Sequence, residues 1–237
     1  MAIAIVGSAT GYSGSAANVS GSNAFTVTTT VLSGANFMVC MTAGLVDGFN
    51  AVSSLTFSGT TLTALRQDRA IVANYDPSSG IFYLVNPPVG TYGLVVNLGA
   101  SAREGVAVTS LILSGVDTVT PMDVAGGVGR TQTSGTSLSN TITTVATNAW
   151  IIQSVSDKGS TAGITQDNGQ TEIADAEVVG TNATISYAFS YLGPVATPGS
   201  QTLGVSSLNN VGSTMSLASI KPSATTISSM ALMGIGT

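Results

Sequence analysis

Short runs in which apolar and β-branched residues alternate with hydroxyl residues, broken every roughly 8–12 residues by Gly, Pro, Asn or Ser, restrict this chain to an all-β fold. A period of two gives a strand one apolar face and one small polar face. It is plain in Phe25-Thr26-Val27-Thr28, Leu55-Thr56-Phe57, Leu94-Val95-Val96-Asn97-Leu98 and Ile185-Ser186-Tyr187-Ala188-Phe189-Ser190-Tyr191. Strands are predicted near 24–31, 36–43, 52–57, 60–65, 69–75, 80–86, 93–98, 105–114, 138–145, 148–156, 171–178, 184–192 and 213–221. So many strands require two packed sheets. The predicted fold is a two-sheet antiparallel β-sandwich, jelly-roll-like, with about 12–14 strands.

No window carries a 3.6-residue apolar period, and Lys, Glu and Arg are scarce, so any helix should be a single turn. Turns are expected at Ser58-Gly59, Asp76 to Gly80, Asn86-Pro87-Pro88-Val89-Gly90, the Gly-rich Ala125 to Gly135, and Pro194 to Gly199. In each, Pro fixes φ or Gly supplies a positive one. A faint internal echo links Thr30-Val31-Leu32-Ser33-Gly34-Ala35-Asn36-Phe37-Met38-Val39 with Thr144-Val145-Ala146-Thr147-Asn148-Ala149-Trp150-Ile151-Ile152. Both read as strand, short turn, buried strand, which suggests two pseudo-related halves.

A chain of 237 residues can bury roughly 70% of its unfolded surface and needs no staples. Its mean hydropathy of +0.43 reflects buried strands, not a membrane span. The longest weakly polar run, Ala35 to Val46, is too short and holds Asn36, Thr42 and Gly44. The opening MAIAIVGSATGYSGSA lacks a basic n-region, so no secretory leader is expected and the protein should stay in the cell until assembly or lysis. Cys40, between Val39 and Met41 in a strand-like run, reads as a buried inert thiol.

Chemistry is constrained by what the chain lacks. It has no histidine, 6 Lys+Arg and 11 Asp+Glu, which excludes Ser-His-Asp and Cys-His catalysis. A Ser-Lys dyad has only Lys158 and Lys221 to draw on, both expected to be solvated at strand ends. Gly126-Gly127-Val128-Gly129-Arg130 lacks the order of a phosphate loop. The densest acids, Asp167, Glu172, Asp175 and Glu177, read as a solvated loop, with a Ca²⁺ site around Asp167 or a glycosidase pair as alternatives. The single Trp150 reads as core, so it supplies no sugar platform. A formal charge of -5, and Arg66, Arg69, Arg103 and Arg130 in no basic run, disfavour nucleic acid. Arg66 and Arg69 flank Asp68, the pattern of a local ion-paired turn or edge. No catalytic, cofactor-binding or metal-binding residue is assigned, and no cofactor is expected.

Several segments, in order, resemble a known family. They are Ser53 to Thr63 (SSLTFSGTTLT), Phe82 to Thr91 (FYLVNPPVGT), Leu113 to Pro121 (LSGVDTVTP), Asn148-Ala149-Trp150-Ile151-Ile152, Gly169-Gln170-Thr171 and Ser219-Ile220-Lys221-Pro222. Over roughly residues 24–223 the chain resembles the jelly-roll-like β-sandwich modules of bacteriophage virion structural proteins and of some bacterial surface proteins. The motifs themselves are structural: NPPVG is a rigid turn, and in SGVD-x-x-TP Asp117 can accept hydrogen bonds from the amides that follow.

The resemblance implies virion or surface architecture and supplies no active residues. Read with the composition, it gives an N-terminal arm at 1–23, a sandwich at 24–222 with halves at about 24–121 and 136–222, and an apolar C-terminal tail at 223–237 that packs on a neighbouring subunit. The expected protein is a non-enzymatic virion component that decorates the capsid through homo-oligomeric packing. Its partners are itself and other virion proteins, above all the capsid protein. A tail or fibre protein, a surface adhesin that binds glycan through its loops, and a filament subunit that assembles by strand donation are the alternatives.

Overall fold

The computed structural model describes residues 1–6, 15–17, 23–99, 103–159 and 163–224, and every regular element within them is a β-strand. In chain order these are β1 (Ala4–Ile5), β2 (Ser15–Ala17), β3 (Ala24–Val31), β4 (Phe37–Val46), β5 (Val52–Phe57), β6 (Thr60–Thr61), β7 (Thr63–Arg69), β8 (Asp76–Val85) and β9 (Gly90–Leu98). They continue as β10 (Arg103–Ser114), β11 (Val128–Gln132), β12 (Ser137–Thr144), β13 (Ala149–Lys158), β14 (Thr165–Gln166), β15 (Thr171–Val179), β16 (Thr184–Val195), β17 (Gly199–Ser206) and β18 (Ser213–Ile220). The antiparallel β-sandwich read from the sequence is the fold of the chain, extended from one pair of sheets to four.

Two large inner sheets run β1-β10-β4-β8-β7, with β2 also on β10, and β11-β18-β13-β16-β15. Two smaller outer sheets run β3-β9-β5-β6 and β12-β17-β14. Three apolar cores define the stacking. Val27, Leu55, Phe57, Leu94 and Val96 of the first outer sheet meet Met38, Cys40, Phe82, Val106 and Ile112 of the first inner sheet. Leu138, Ile142, Leu203 and Val205 meet Ile151, Val155, Met215 and Leu217 in the same way on the second side. Between them the inner sheets face each other through Phe37, Val39, Met41, Leu45 and Ile81 on one side and Trp150, Ile152, Ile185, Phe189 and Ile220 on the other. Each such side chain contributes about 1.5–3 kcal/mol on burial. A strand of an inner sheet is therefore buried on both faces, which is why β4 and β18 have no exposed position along their length.

The two sides share one strand order. Strands 3, 4, 5, 7, 8, 9 and 10 occupy the places that 12 to 18 occupy on the other side, with β1 and β2 on β10, β11 on β18 and the short β6 as additions. The echoed segments fall on the same turn of each side, Thr30–Val39 from β3 into β4 and Thr144–Ile152 from β12 into β13.

Three local expectations need correction. Asp76 to Gly80, read as a turn from its Pro, Ser and Gly, forms the first half of β8, paired with β4 from Val46↔Asp76 to Thr42↔Gly80. Pro77 fits there because the β7 ladder ends opposite Ser78 and Pro77 is called on only as an acceptor, its carbonyl taking the Ala70 amide at 3.1 Å. Residues 70–75, read as a strand, form the β7–β8 connection, and the Gly-rich 125–135 contains β11, paired with β18. Of the predicted N-terminal arm, β1 and β2 pair with β10. The predicted subunit-contacting tail lies outside the described residues beyond Ala224.

Candidate functional site

Where the inner sheets meet at one end of the stack, connections from both sides surround a cleft of about 610 Å³ lined by Asp47, Asn74, Tyr75, Lys158, Asn182 and Ala183. That size lies within the roughly 300–1,000 Å³ of small-molecule sites. Asp47 follows β4, Asn74 and Tyr75 close the β7–β8 connection, Lys158 ends β13, and Asn182 and Ala183 join β15 to β16.

Glu104, at the start of β10 and 3% exposed, forms the base of this arrangement. Its Oε2 accepts from the Asn182 amide at 2.6 Å and the Ala183 amide at 3.3 Å, and its Oε1 from Asn182 Nδ2 at 2.8 Å. Tyr75 also hydrogen-bonds this carboxylate. Burial pushes Glu104 upward, but the donors from Asn182, Ala183 and Tyr75 outweigh it and hold the group below the usual range. The same contact, with burial as the larger cause, raises the Tyr75 phenol.

Lys158 reaches from the second side to the first and donates to the carbonyls of Ala73 and Asn74. The sequence placed it in solvent. Instead burial lowers its ammonium, with Asp76 and Asp47 pushing the other way. Asp76, itself buried, accepts from the Val72 amide at 2.9 Å and the Gly48 amide at 3.3 Å, and pairs with Arg69 at 3.6 Å. It thereby ties the two connections of the first side together. Asn74 and Tyr75 hold consecutive positive φ of 54° and 67°. Side chains rarely adopt that region, and such positions concentrate at binding and catalytic sites.

The other sequence-selected residues lie elsewhere. Asp167 accepts from Ser206 Oγ at 3.2 Å, and Asp175 from the Ile164 amide at 2.8 Å; burial raises Asp175, and Glu172 and Glu177 add to the rise. Among the described residues no three acidic or Cys side chains are grouped to hold a metal ion. Lys221 is bridged to Asp117 at 3.0 Å instead of free in solvent. Asp117 accepts from the Val119 and Thr120 amides at 2.9 and 3.1 Å, as its motif predicted. Arg66 grips Asp68 through two bonds of 2.7 Å, while Arg69 turns to Asp76. Cys40 is fully buried, which pushes its thiol far up, and Trp150 stacks on Tyr191 with centroids 4.8 Å apart.

Sequence reasoning missed the cleft residues because they come from four separate connections and share no spacing. The available signal was Asn74 before Asp76-Pro77, since Asn tolerates positive φ and precedes such turns.

The outer sheets differ sharply in composition from the inner ones. None of the 6 Lys+Arg or 11 Asp+Glu lies on a strand of either outer sheet. Thr26, Thr28 and Thr30 point outward from β3, and Ser137, Ser139, Thr141 and Thr143 from β12. Cross-strand hydroxyl pairs link Thr30 to Thr91 at 2.9 Å on one side, and Thr141 to Thr202 at 2.8 Å on the other. Three of the inner-sheet edges, by contrast, carry charge: Arg66, Asp68 and Arg69 on β7, Arg130 on β11, and Glu172, Asp175 and Glu177 on β15; the β1 and β2 edge carries none. No protein-family model, curated protein or solved structure matches this chain, so its fold and its candidate site rest on its own residues.

Proposed function

We propose that the chain is a non-enzymatic structural protein of a bacteriophage virion, decorating the capsid as a homo-oligomer. The observation that carries this reading is the placement of charge. Sheet edges are normally guarded by Lys, Glu or Pro, and here the inner edges β7, β11 and β15 carry charge, while β3, β6, β12 and β14, the edges of the outer sheets, have none. Uncharged, hydroxyl-lined faces and unguarded edges suit contact with further copies of the chain and with a capsid surface. The motif resemblance in 24–223 supports the same assignment. Tail or fibre placement is the variant that differs only in copy number.

Quantitative mass spectrometry of purified particles tests it. Hundreds of copies per particle fit a capsid lattice, and a few dozen or fewer move the chain to the tail. Absence from particles, or a stable monomer in concentrated solution by light scattering, overturns the proposal.

A further inference from the structure

The geometry points to the cleft between the two sides as a binding site for a neutral carbohydrate. Its walls belong to different halves of the chain, and they are held at a fixed separation by Glu104 on Asn182 and by Lys158 on the carbonyls of Ala73 and Asn74. A recess fixed by buried polar staples is already formed before any ligand arrives, which lowers the ordering cost of binding. The charges around it select the ligand class. Among the lining residues Asp47 carries the one negative charge and Lys158 the one positive, and Asp76 behind them is matched by Arg69. These charges balance, so the cleft has no net charge to attract an anion or a cation and suits a neutral polar ligand. Lys158 already gives protons to two carbonyls, leaving one for a ligand.

What remains is a mixed set of donors and acceptors: the exposed Asp47 carboxylate, the exposed Asn74 amide, the Asn182 carbonyl oxygen and the last Lys158 proton, beside the partly buried ring of Tyr75. Vicinal hydroxyls of a neutral sugar ring both donate and accept, matching such a set, and an aromatic ring takes their C–H face. Asn74 and Tyr75 are presented at fixed positions by consecutive positive φ of 54° and 67° in the β7–β8 connection. The cleft lies in the connections, away from the uncharged outer sheets, so it does not depend on the assembly reading.

The test uses the purified full chain with a panel of neutral methyl glycosides and oligosaccharides, read by saturation-transfer NMR at millimolar sugar. At least one member should show transfer. Its affinity should fall about tenfold in Asp47→Ala, the scale of one charge-assisted hydrogen bond. Asn74→Gly should give a similar loss, since Gly keeps the positive φ and removes only the amide. Val119→Ala, 87% exposed and outside the cleft, should bind as the parent does. No transfer from any member of the panel, or undiminished binding in both cleft variants, overturns the inference. Folding is checked by unchanged thermal melts, and binding by the isolated chain separates this result from any failure to find it in particles.

Discussion

The hydroxyl of Ser79 on β8 meets that of Ser216 on β18 at 2.9 Å, linking the two inner sheets through a contact with no apolar component. Ser216 also donates to Asp68 at 2.7 Å, and Ser154 and Ser156 donate to the carbonyls of Thr42 and Gly44 at 2.7 and 3.3 Å. Stacked sheets normally lie about 10 Å apart with long side chains between them. Serine in these places brings the sheets closer, and the polar groups so buried are satisfied by one another.

Ser216→Ala removes the donor to Asp68 and the partner of Ser79 together. It should destabilise the fold by about 1–3 kcal/mol, because Ser79 stays buried without its partner and Asp68 keeps only its bonds from Arg66. Chemical denaturation with an unchanged m-value would register the loss, and Ser79→Ala should cost less.

Gly129 on β11 packs flat against Asp68, where a Cβ would lie 2.1 Å from the carboxylate. Asp68 is held by Arg66 and Ser216 and cannot give way. Gly129→Ala should therefore cost about 1–3 kcal/mol through overpacking. Gly126→Ala, by contrast, meets no atom within 4 Å and suffers only from its φ of 73°. Thermal melts of the two variants should separate them.

Asp157 is fully buried at the end of β13; burial raises its carboxyl, and the Asn209 amide and Nδ2, bonded to Oδ2 at 2.9 and 3.1 Å, only partly offset this. A folded-state value above the unfolded 3.8 means the native state holds the proton more tightly. Stability from this group is present in acid and is lost as pH rises from about 3.8 through the folded-state value. Asp157→Asn keeps an acceptor for Asn209 and removes the charge. It should melt higher than the parent at neutral pH, with the gap closing in acid; a constant gap would show that titration of Asp157 is not the cause.

Glu104→Ala strips the partly buried amides of Asn182 and Ala183 of their acceptor. A loss of about 2–4 kcal/mol is expected from two stranded donors, and amide exchange should quicken first at 180–184. Glu104→Gln, which keeps one acceptor oxygen, should lose less.

Thr28→Lys and Thr141→Lys place a charge on each outer sheet without touching a core. Stability should change by no more than about 0.5 kcal/mol, while oligomer mass in light scattering falls if those faces carry assembly. Unchanged mass in both variants would count against the assembly role.

Local alternation placed the long strands well: 24–31 and 52–57 coincide with β3 and β5, and 184–192 lies within β16. It failed at Asp76 to Gly80 and at 125–135, where Pro, Ser and Gly signal a turn. Small residues are needed there because neighbours pass close, the Thr42 side chain of the adjacent strand at Gly80 and Asp68 of the facing sheet at Gly129. The central outer strand β17, with Gly, Ser and Gln in its first half, carried too little apolar signal to be seen.

The sequence alone determined that the chain is all-β, that its strands are antiparallel and hydroxyl-faced, and that histidine-based chemistry is absent, because residue type and a period of two are local properties. Tertiary structure decided that there are four sheets and not two, since an inner strand apolar on one face and Ser-rich on the other looks half-solvated until a second sheet covers it. Only the fold, likewise, gathers Asp47, Tyr75, Glu104, Lys158 and Asn182 at one end. They stand far apart in the chain, and stacking of the inner sheets is what closes that distance.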